Sequence, residues 1–233
     1  MKRTSRVAVV CIVALAPSLI ARADAPTRRL LLVPMGSIKQ ALFAEAERVL
    51  RARFLFDVSA SAKVALASAA WYAPRQRWRA EKLLDQLDAL GDAATWRVLG
   101  LTEASISTTK GKVFDWGIAG LARLDGKSGV VTSYIYRRVR AKSRKTYRRY
   151  FRDLVLHEVG HTLGLDHCPL RRCLMADAKG NALRSARASS GHFCPRCTAR
   201  IAPHLRDATP KGRWSWRERA VLRRLGPAAG ARP

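Results

Sequence analysis

Acidic side chains are scarce in this sequence. The 233 residues include 17 Asp and Glu against 44 Lys and Arg, which gives a formal charge of +27. An excess of this size favours anionic partners such as nucleic acid, an anionic surface or an acidic peptide, although net charge governs association and not chemistry. Apolar residues, in contrast, make up 48% of the chain. They are numerous enough to form a core, so the sequence is not that of a disordered polycation.

Long hydrophobic runs are missing outside the N-terminus, which excludes a polytopic membrane protein. At the N-terminus, a basic start and an apolar stretch over residues 7–20 precede small residues that suit a signal peptidase. This pattern predicts an export signal over residues 1–23, cleaved after Ala23 or Ala25, and therefore a secreted or periplasmic protein. An uncleaved membrane anchor is the alternative, but Pro17 interrupts the stretch, and about 14 apolar residues are few for a membrane span. Once the signal is removed, no stable membrane insertion is expected.

Cysteine is also rare, and its spacing is informative. One of the five cysteines, Cys11, lies in the predicted signal, and the other four lie in the last third of the chain: Cys168, Cys173, Cys194 and Cys197. An even number of cysteines in an exported protein first suggests disulfides. However, the first pair has four intervening residues and the second pair has two, which is the C-x2-4-C spacing of structural zinc sites. The spacing favours zinc, with disulfides as the alternative.

Alternating strand and helix patterns precede these cysteines. Short apolar runs predict strands, and apolar residues at helical spacing predict two helices, the first capped by Ser37 and the second stopped by Gly91. In chain order the predicted elements are strand 30–33, helix 37–53, strand 54–58, loop 71–75, helix 80–90, strand 96–101 and, within 114–136, a hairpin around the turn 125–129. The alternation predicts a layered sheet with helices packed on it.

The segment from Phe151 to Met175 has the pattern of a catalytic zinc site. His157 and His161 are four residues apart, so a helix places both imidazoles on one face, while the opposite face is aliphatic. Glu158 flanks the ligand face, where it is suited to take a proton from a zinc-bound water as the general base.

A third histidine follows this helix. Gly164 allows a positive φ, so the chain can turn sharply at the end of the helix. This turn brings His167 back towards the first two histidines as a third ligand. Three neutral imidazoles leave a fourth zinc position open for water, which distinguishes a catalytic site from a structural one. A histidine pair on a helix is by itself most often a surface or core feature, but the extension through Gly164 and His167 favours zinc.

The eleven residues from His157 to His167 resemble the extended zinc motif of the metzincin metallopeptidases. The spacing at which the four cysteines and Met175 follow this motif narrows the resemblance to the archaemetzincin family. The likeness covers about residues 28–200.

This resemblance implies a fold, a set of site residues and a cofactor. The fold is α+β and zincin-like, with a three-layer helix, twisted mixed sheet and helix subdomain over residues 24–165 and a small irregular C-terminal subdomain over 166–233. Met175 is implied to be the Met-turn residue beneath the zinc, and Glu158 to be catalytic. Two zinc ions per chain are implied: a catalytic ion on His157, His161 and His167, and a structural ion on Cys168, Cys173, Cys194 and Cys197.

Two features depart from the family pattern. Eighteen residues separate Met175 from Cys194, where seventeen is usual, so this loop is slightly longer. An export signal is unusual for a family whose members are mostly intracellular, which leaves the oxidation state of the cysteines open.

Two functions from different classes are compatible with these features. The first is a zinc peptidase that hydrolyses peptide bonds with Glu158 as general base. The alternative is a two-zinc binding module for polyanions with weak or vestigial peptidase activity. The segment 137–152 has nine Lys or Arg and no acid, and it is either a solvated approach to the zinc helix or a cationic lip that selects acidic substrates. Tyr134 and Tyr136 are candidate oxyanion donors. The scissile residue, the choice between endo and exo cleavage, and the oligomeric state stay open.

Overall fold

A computed structural model describes residues 28–226, so the predicted signal and Cys11 lie outside the described residues. The helices are α1 (Gln40–Arg53), α2 (Ala80–Asp88), α3 (Arg137–Lys142), α4 (Arg144–Thr162), α5 (Ala182–Ala188), α6 (Pro195–Arg200) and α7 (Trp216–Leu225). The strands are β1 (Arg29–Pro34), β2 (Asp57–Ala60), β3 (Trp71–Tyr72), β4 (Arg77–Arg79), β5 (Thr95–Thr102), β6 (Ile106–Lys110), β7 (Val113–Ile118), β8 (Gly120–Ala122) and β9 (Ser128–Thr132). Within this part of the chain, no helix has the length and apolar character needed to cross a bilayer.

The central sheet has five strands in the order β2-β1-β5-β9-β8. The first four run parallel, and β8 pairs antiparallel with β9 at the edge. The β8–β9 pair is the hairpin that the turn at residues 125–129 predicts. Because β8 is an edge strand, it has one side free of other strands, and this side borders the candidate site.

Helices cover both faces of this sheet and make three layers. On β5, Val98 faces α2, while the adjacent Leu99 faces α1 and α4. Val130 and Val131 divide in the same way on β9, as the alternation of side chains along a strand requires. The predicted three-layer α+β fold is therefore confirmed.

A second, four-stranded sheet in the order β3-β4-β6-β7 was not predicted. Its first strands have only two and three residues: β3 lies within the loop predicted at 71–75, and β4 lies between that loop and α2. Trp71 pairs with Trp78 across a short 3-10 turn, and their rings lie 5.0 Å apart. Strand β7 leads directly into β8, so this sheet extends the rim of the central sheet.

Two local predictions for the N-terminal half were wrong. Ser37 does not cap α1, because the helix begins at Gln40 with Lys39 at the N-cap and no side-chain hydrogen bond there. The strand predicted from Phe54 begins only at Asp57, because the Phe54 N–H still donates to Leu50 O and completes the last helical turn.

After α4 the chain forms short helices joined by loops, as expected of an irregular C-terminal part. This part packs into the same core as α1 and α4, through side chains such as Phe193, Ile201 and Leu205. The division of the chain at residues 165 and 166 stays a prediction.

Candidate metal centre

Helix α4 and the turn after it bring three imidazoles together. The rings of His157 and His161 lie 4.7 Å apart, and His167 lies 5.4 Å from the first and 4.8 Å from the second. One nitrogen from each ring lies within 4.8 Å of the other two. Gly164 has the predicted positive φ, 82°, and this turn returns His167 to the helix.

Backbone carbonyls orient two of the rings. Nδ1 of His157 donates a hydrogen bond to Leu174 O at 2.8 Å, and Nδ1 of His161 donates to Leu165 O at 2.7 Å. A carbonyl only accepts, so both Nδ1 atoms are protonated and both Nε2 atoms present a lone pair. Metal-binding histidines use this arrangement to fix the ring and the tautomer. The sequence does not reveal these carbonyl partners, because their position depends on the tertiary fold.

The two Nε2 atoms face each other at 3.0 Å, which suits a cation between them. Two lone pairs at this distance repel unless a positive charge lies nearby. Protonation does not provide that charge at neutral pH, since burial lowers the pKa of His157 to about 3 and of His161 to about 4. Neutral imidazole nitrogens are favoured ligands of Zn²⁺, and the three histidines fit this ion.

Glu158 lies beside the imidazoles under strand β8. Its side chain is 4% exposed, and burial raises its pKa to about 8. The carboxyl end lies over the backbone of Gly120: a Cβ at this glycine would be 2.6 Å from Cδ and 2.7 Å from Cγ of Glu158. A glycine is therefore required where β8 passes Glu158. Sequence analysis did not single out Gly120, because the contact joins residues 38 positions apart.

The four cysteines form a second, buried cluster. Sγ of Cys168 lies 3.8 Å from Sγ of Cys194, and Sγ of Cys173 lies 3.8 Å from Sγ of Cys197. A disulfide requires about 2.05 Å, whereas a tetrahedron of thiolates with Zn–S bonds of about 2.3 Å has S···S separations of about 3.8 Å. The Cys194 N–H also donates to Sγ of Cys173, which favours a thiolate there. The cysteines are free thiols with the spacing of a closed zinc site.

Met175 connects the two clusters. Its side chain is fully buried against α4, where a Cβ at Gly160 would lie only 2.5 Å from the Met175 sulfur. Its carbonyl accepts a hydrogen bond from the Cys168 N–H at 2.7 Å. The loop that contains Met175 therefore contacts both α4 and the cysteine cluster.

A cleft of about 460 Å³ opens in front of the imidazoles and Glu158. Strands β7 and β8 form one rim, and the segment from Ala176 to α5 forms the other. The two rims meet at Trp116, whose ring would lie 3.3 Å from a Cβ at Gly180. A further part of the lining is apolar and forms a wall with the side chains of Ile135, Tyr136, Tyr150, Leu154, Leu174 and Ala186.

Only some of the other residues that the sequence predicts for the site line this cleft. Tyr136 lines it, but Tyr134 is exposed under the guanidinium of Arg137. Segment 137–152 contributes Tyr150 to the lining and none of its described Lys or Arg side chains. Tyr150 and the buried Asp153, which is paired with Arg152, are lining residues that sequence analysis did not single out.

Comparison with known proteins gives a family match. The model of Peptidase family M54 matches residues 40–203. An archaemetzincin from Methanopyrus kandleri is 33% identical over 132 residues, which is 57% of this chain and 70% of the relative. An archaemetzincin from Haloarcula marismortui is 28% identical over 153 residues, 62% of this chain and 83% of the relative.

Solved structures have the same fold. The crystal structure of archaemetzincin from Methanopyrus kandleri superposes with a TM-score of 0.61 at 28% identity and covers 79% of this chain and 98% of its own. A zinc-dependent peptidase from Methanocorpusculum labreanum has a TM-score of 0.58 and covers 74% of this chain and 99% of its own. At 18% identity, this second likeness is one of fold alone.

Proposed function

Because the chain belongs to peptidase family M54 and is a zinc-dependent peptidase of the archaemetzincin type, we propose that Glu158 is its general base and that His157, His161 and His167 hold the catalytic zinc. The observation that supports this assignment is the convergence of three imidazoles, two of which present Nε2, next to a buried carboxyl group in one cleft. When bound there, zinc supplies Lewis acidity, which lowers the pKa of water to about 7 and polarises a peptide carbonyl.

Glu158 moves the proton in this proposal. Its carboxylate accepts a proton from the attacking water and then gives it to the nitrogen of the leaving amine. Burial raises the pKa of Glu158, and a dication at the imidazoles would lower it again, which favours the carboxylate that accepts the proton. Close contact with Gly120 holds the carboxyl end in place.

We also propose that the four cysteines bind a second, structural zinc ion. Four buried sulfurs, all within 4.8 Å of one another and with two of the separations at 3.8 Å, fit a closed tetrahedral site, which has no position for substrate. Met175 would then be the Met-turn residue, since its loop lies between the cysteine cluster and α4.

The substrate in this proposal is a peptide with an apolar side chain next to the scissile bond. The apolar wall at Tyr136, Leu154 and Leu174 is suited to such a side chain. A preference for acidic substrates stays a proposal. It would depend on cations outside the cleft, because Lys110 alone lines the cleft among the Lys and Arg side chains that the structure describes. Export to the periplasm or the medium likewise stays a prediction from residues 1–23.

Replacing Glu158 by Gln tests the mechanism. The substitution keeps the size of the side chain but removes proton transfer, so we expect peptide hydrolysis to fall by at least about 100-fold while zinc content and thermal stability are unchanged. Glu45→Gln is the same substitution at a residue that pairs with Arg48 on α1 and does not line the cleft, and it serves as the control. Hydrolysis by Glu158→Gln at the rate of the Glu45→Gln protein would contradict the role of Glu158.

A further inference from the structure

A basic cavity lies on the opposite side of α4 from the catalytic cleft. It has a volume of about 570 Å³, and its lining includes Lys39 at the start of α1, Arg140 on α3, and Arg144 and Arg148 on α4. Ala41, Leu42 and Tyr147 form the rest of the wall. Arg148 and His157 are nine residues apart on one helix, which places their side chains about 180° apart around its axis. The basic cavity is therefore separate from the catalytic cleft.

The charges of this cavity are poorly balanced within the protein. Glu103 lies 3.9 Å from Lys39 and 3.7 Å from Arg140. Among residues 28–226, neither Arg144 nor Arg148 has a carboxylate within ion-pair distance.

Acids on the neighbouring helix do not compensate for this charge. On α1, Glu45 pairs with Arg48 at 2.6 Å and Glu47 pairs with Arg51 at 2.9 Å. Two of the four cations, Lys39 and Arg140, therefore share the single carboxylate of Glu103, and the other two have no carboxylate partner among the described residues.

The position of these cations is also electrostatically unfavourable. The N-terminal end of a helix carries partial positive charge, so acidic residues are normally favoured in its first turn. Neither α1 nor α4 has an acid in its first turn, and Lys39 and Arg144 stand there instead. Arg144 and Arg148 are also one turn apart on α4, where like charges repel. A bound anion would remove all of these repulsions together.

We propose that the basic cavity binds a compact polyanion of the oligophosphate class. Several cations that surround a concave site suit a ligand with several phosphate groups close together, because each guanidinium can donate two hydrogen bonds to one phosphate. The volume lies in the range of about 300–1,000 Å³ that is typical of small-molecule pockets. A concave site of this size favours a small ligand over a long polymer, for which an extended basic surface is typical.

Calorimetric titration of the zinc-loaded full chain with sodium tripolyphosphate tests this proposal. We expect saturable binding that is at least tenfold weaker in Arg144→Gln/Arg148→Gln, since two of the four cations are removed. The matched control is Arg219→Gln/Arg223→Gln, which removes two exposed arginines at the same spacing from α7. This control is expected to bind as the unchanged protein does, and Arg144→Lys/Arg148→Lys is expected to keep most of the affinity.

Three results would overturn the proposal. The first is the absence of saturable binding to tripolyphosphate. The second is an equal loss of affinity in both arginine-to-glutamine pairs, which would indicate a general charge effect or removal of zinc by the probe, and zinc content measured after titration separates these two causes. The third is binding to a single-stranded oligonucleotide or an anionic vesicle without binding to tripolyphosphate, which would assign this face to a polymer or a membrane surface. Circular dichroism of each variant checks that it is folded.

Discussion

At the scale of single residues, the active site depends on what lies around Glu158 as much as on Glu158 itself. A carboxylate in a buried position has few conformations available, and here the backbone of β8 passes directly over it. Gly120 takes no part in the reaction, but its lack of a side chain leaves the space that the carboxyl group of Glu158 occupies. We regard Gly120 as a positioning residue for the general base.

Gly120→Ala should reduce turnover without removing zinc. The new Cβ would lie 2.6 Å from Cδ of Glu158, so the carboxyl end must move away by about 1 Å or more. Misplacement of a catalytic group by about 1 Å costs on the order of 100-fold in rate. Steady-state kinetics should show the loss mainly in kcat, with little change in KM, since the substrate contacts are retained.

The control for this variant is Gly117→Ala on β7. Its Cβ would first meet the guanidinium of Arg77, at 3.3 Å, which has to give by only a few tenths of an ångström. Equal kinetic effects in the two variants, or loss of zinc from Gly120→Ala, would show that the strand as a whole is disturbed and that Gly120 does not position Glu158.

At the scale of elements, α4 combines three contacts along its 19 residues. Its start borders the basic cavity, its last two turns carry His157, Glu158 and His161, and its buried face packs against the central sheet and the Met175 loop. Gly160 lies where the Met175 sulfur comes closest. The close approach of this loop to the helix therefore depends on one glycine.

Gly160→Ala should destabilise the protein, although alanine is the better helix former. Helix propensity alone would favour alanine by about 1 kcal/mol. A Cβ that lies 2.5 Å from the Met175 sulfur, however, overpacks the core, which typically costs about 1–3 kcal/mol. We expect a net loss in the free energy of unfolding of about 1 kcal/mol, measured by urea denaturation.

The sign of this effect should reverse when Met175 is shortened. In the background of Met175→Ala, the added Cβ has room, and Gly160→Ala is expected to stabilise the protein relative to Met175→Ala alone. Destabilisation of the same size in both backgrounds would mean that the contact between Gly160 and Met175 is not the cause.

At the scale of the whole molecule, the cysteine cluster holds the irregular C-terminal part to the three-layer core. The cluster takes residues from two segments, around Cys168 and around Cys194, and it is buried within the same apolar core as α1 and α4. Short helices such as α5 and α6 have little stability of their own. A zinc ion in this cluster would fix them in place.

Removal of metal should therefore cost both activity and stability. We expect two zinc ions per chain by atomic absorption, and one in Cys194→Ser/Cys197→Ser. Chelation should abolish hydrolysis and remove a large part of a stability that is normally about 5–15 kcal/mol. Thermal unfolding should show a larger loss for the cysteine pair variant than for Glu158→Gln, which keeps both metal sites. Two zinc ions in the cysteine variant would contradict the structural site.

The sequence predicts the features that repeat at fixed spacing, and it does not predict those that depend on distant contacts. Three features depend only on residues close together in the sequence: the histidine cluster from His157 to His167, the positive φ of Gly164 and the hairpin at 125–129. The structure contains all three. The second sheet was missed because β3 and β4 are too short to show alternation. The carbonyls that orient the imidazoles, and Gly120 over Glu158, come from other parts of the chain.

The direct succession of His167 and Cys168 has a consequence for the biogenesis of the protein. One peptide bond joins a ligand of the imidazole cluster to a ligand of the cysteine cluster, so neither can move far without the other. If the chain is exported as predicted, the cysteines meet an oxidising compartment before they are protected. A disulfide between Cys168 and Cys194 would require the sulfurs to approach from 3.8 Å to about 2.05 Å, and the backbone of His167 would move with them. Metal loading must then precede oxidation if His167 is to keep its place in the imidazole cluster.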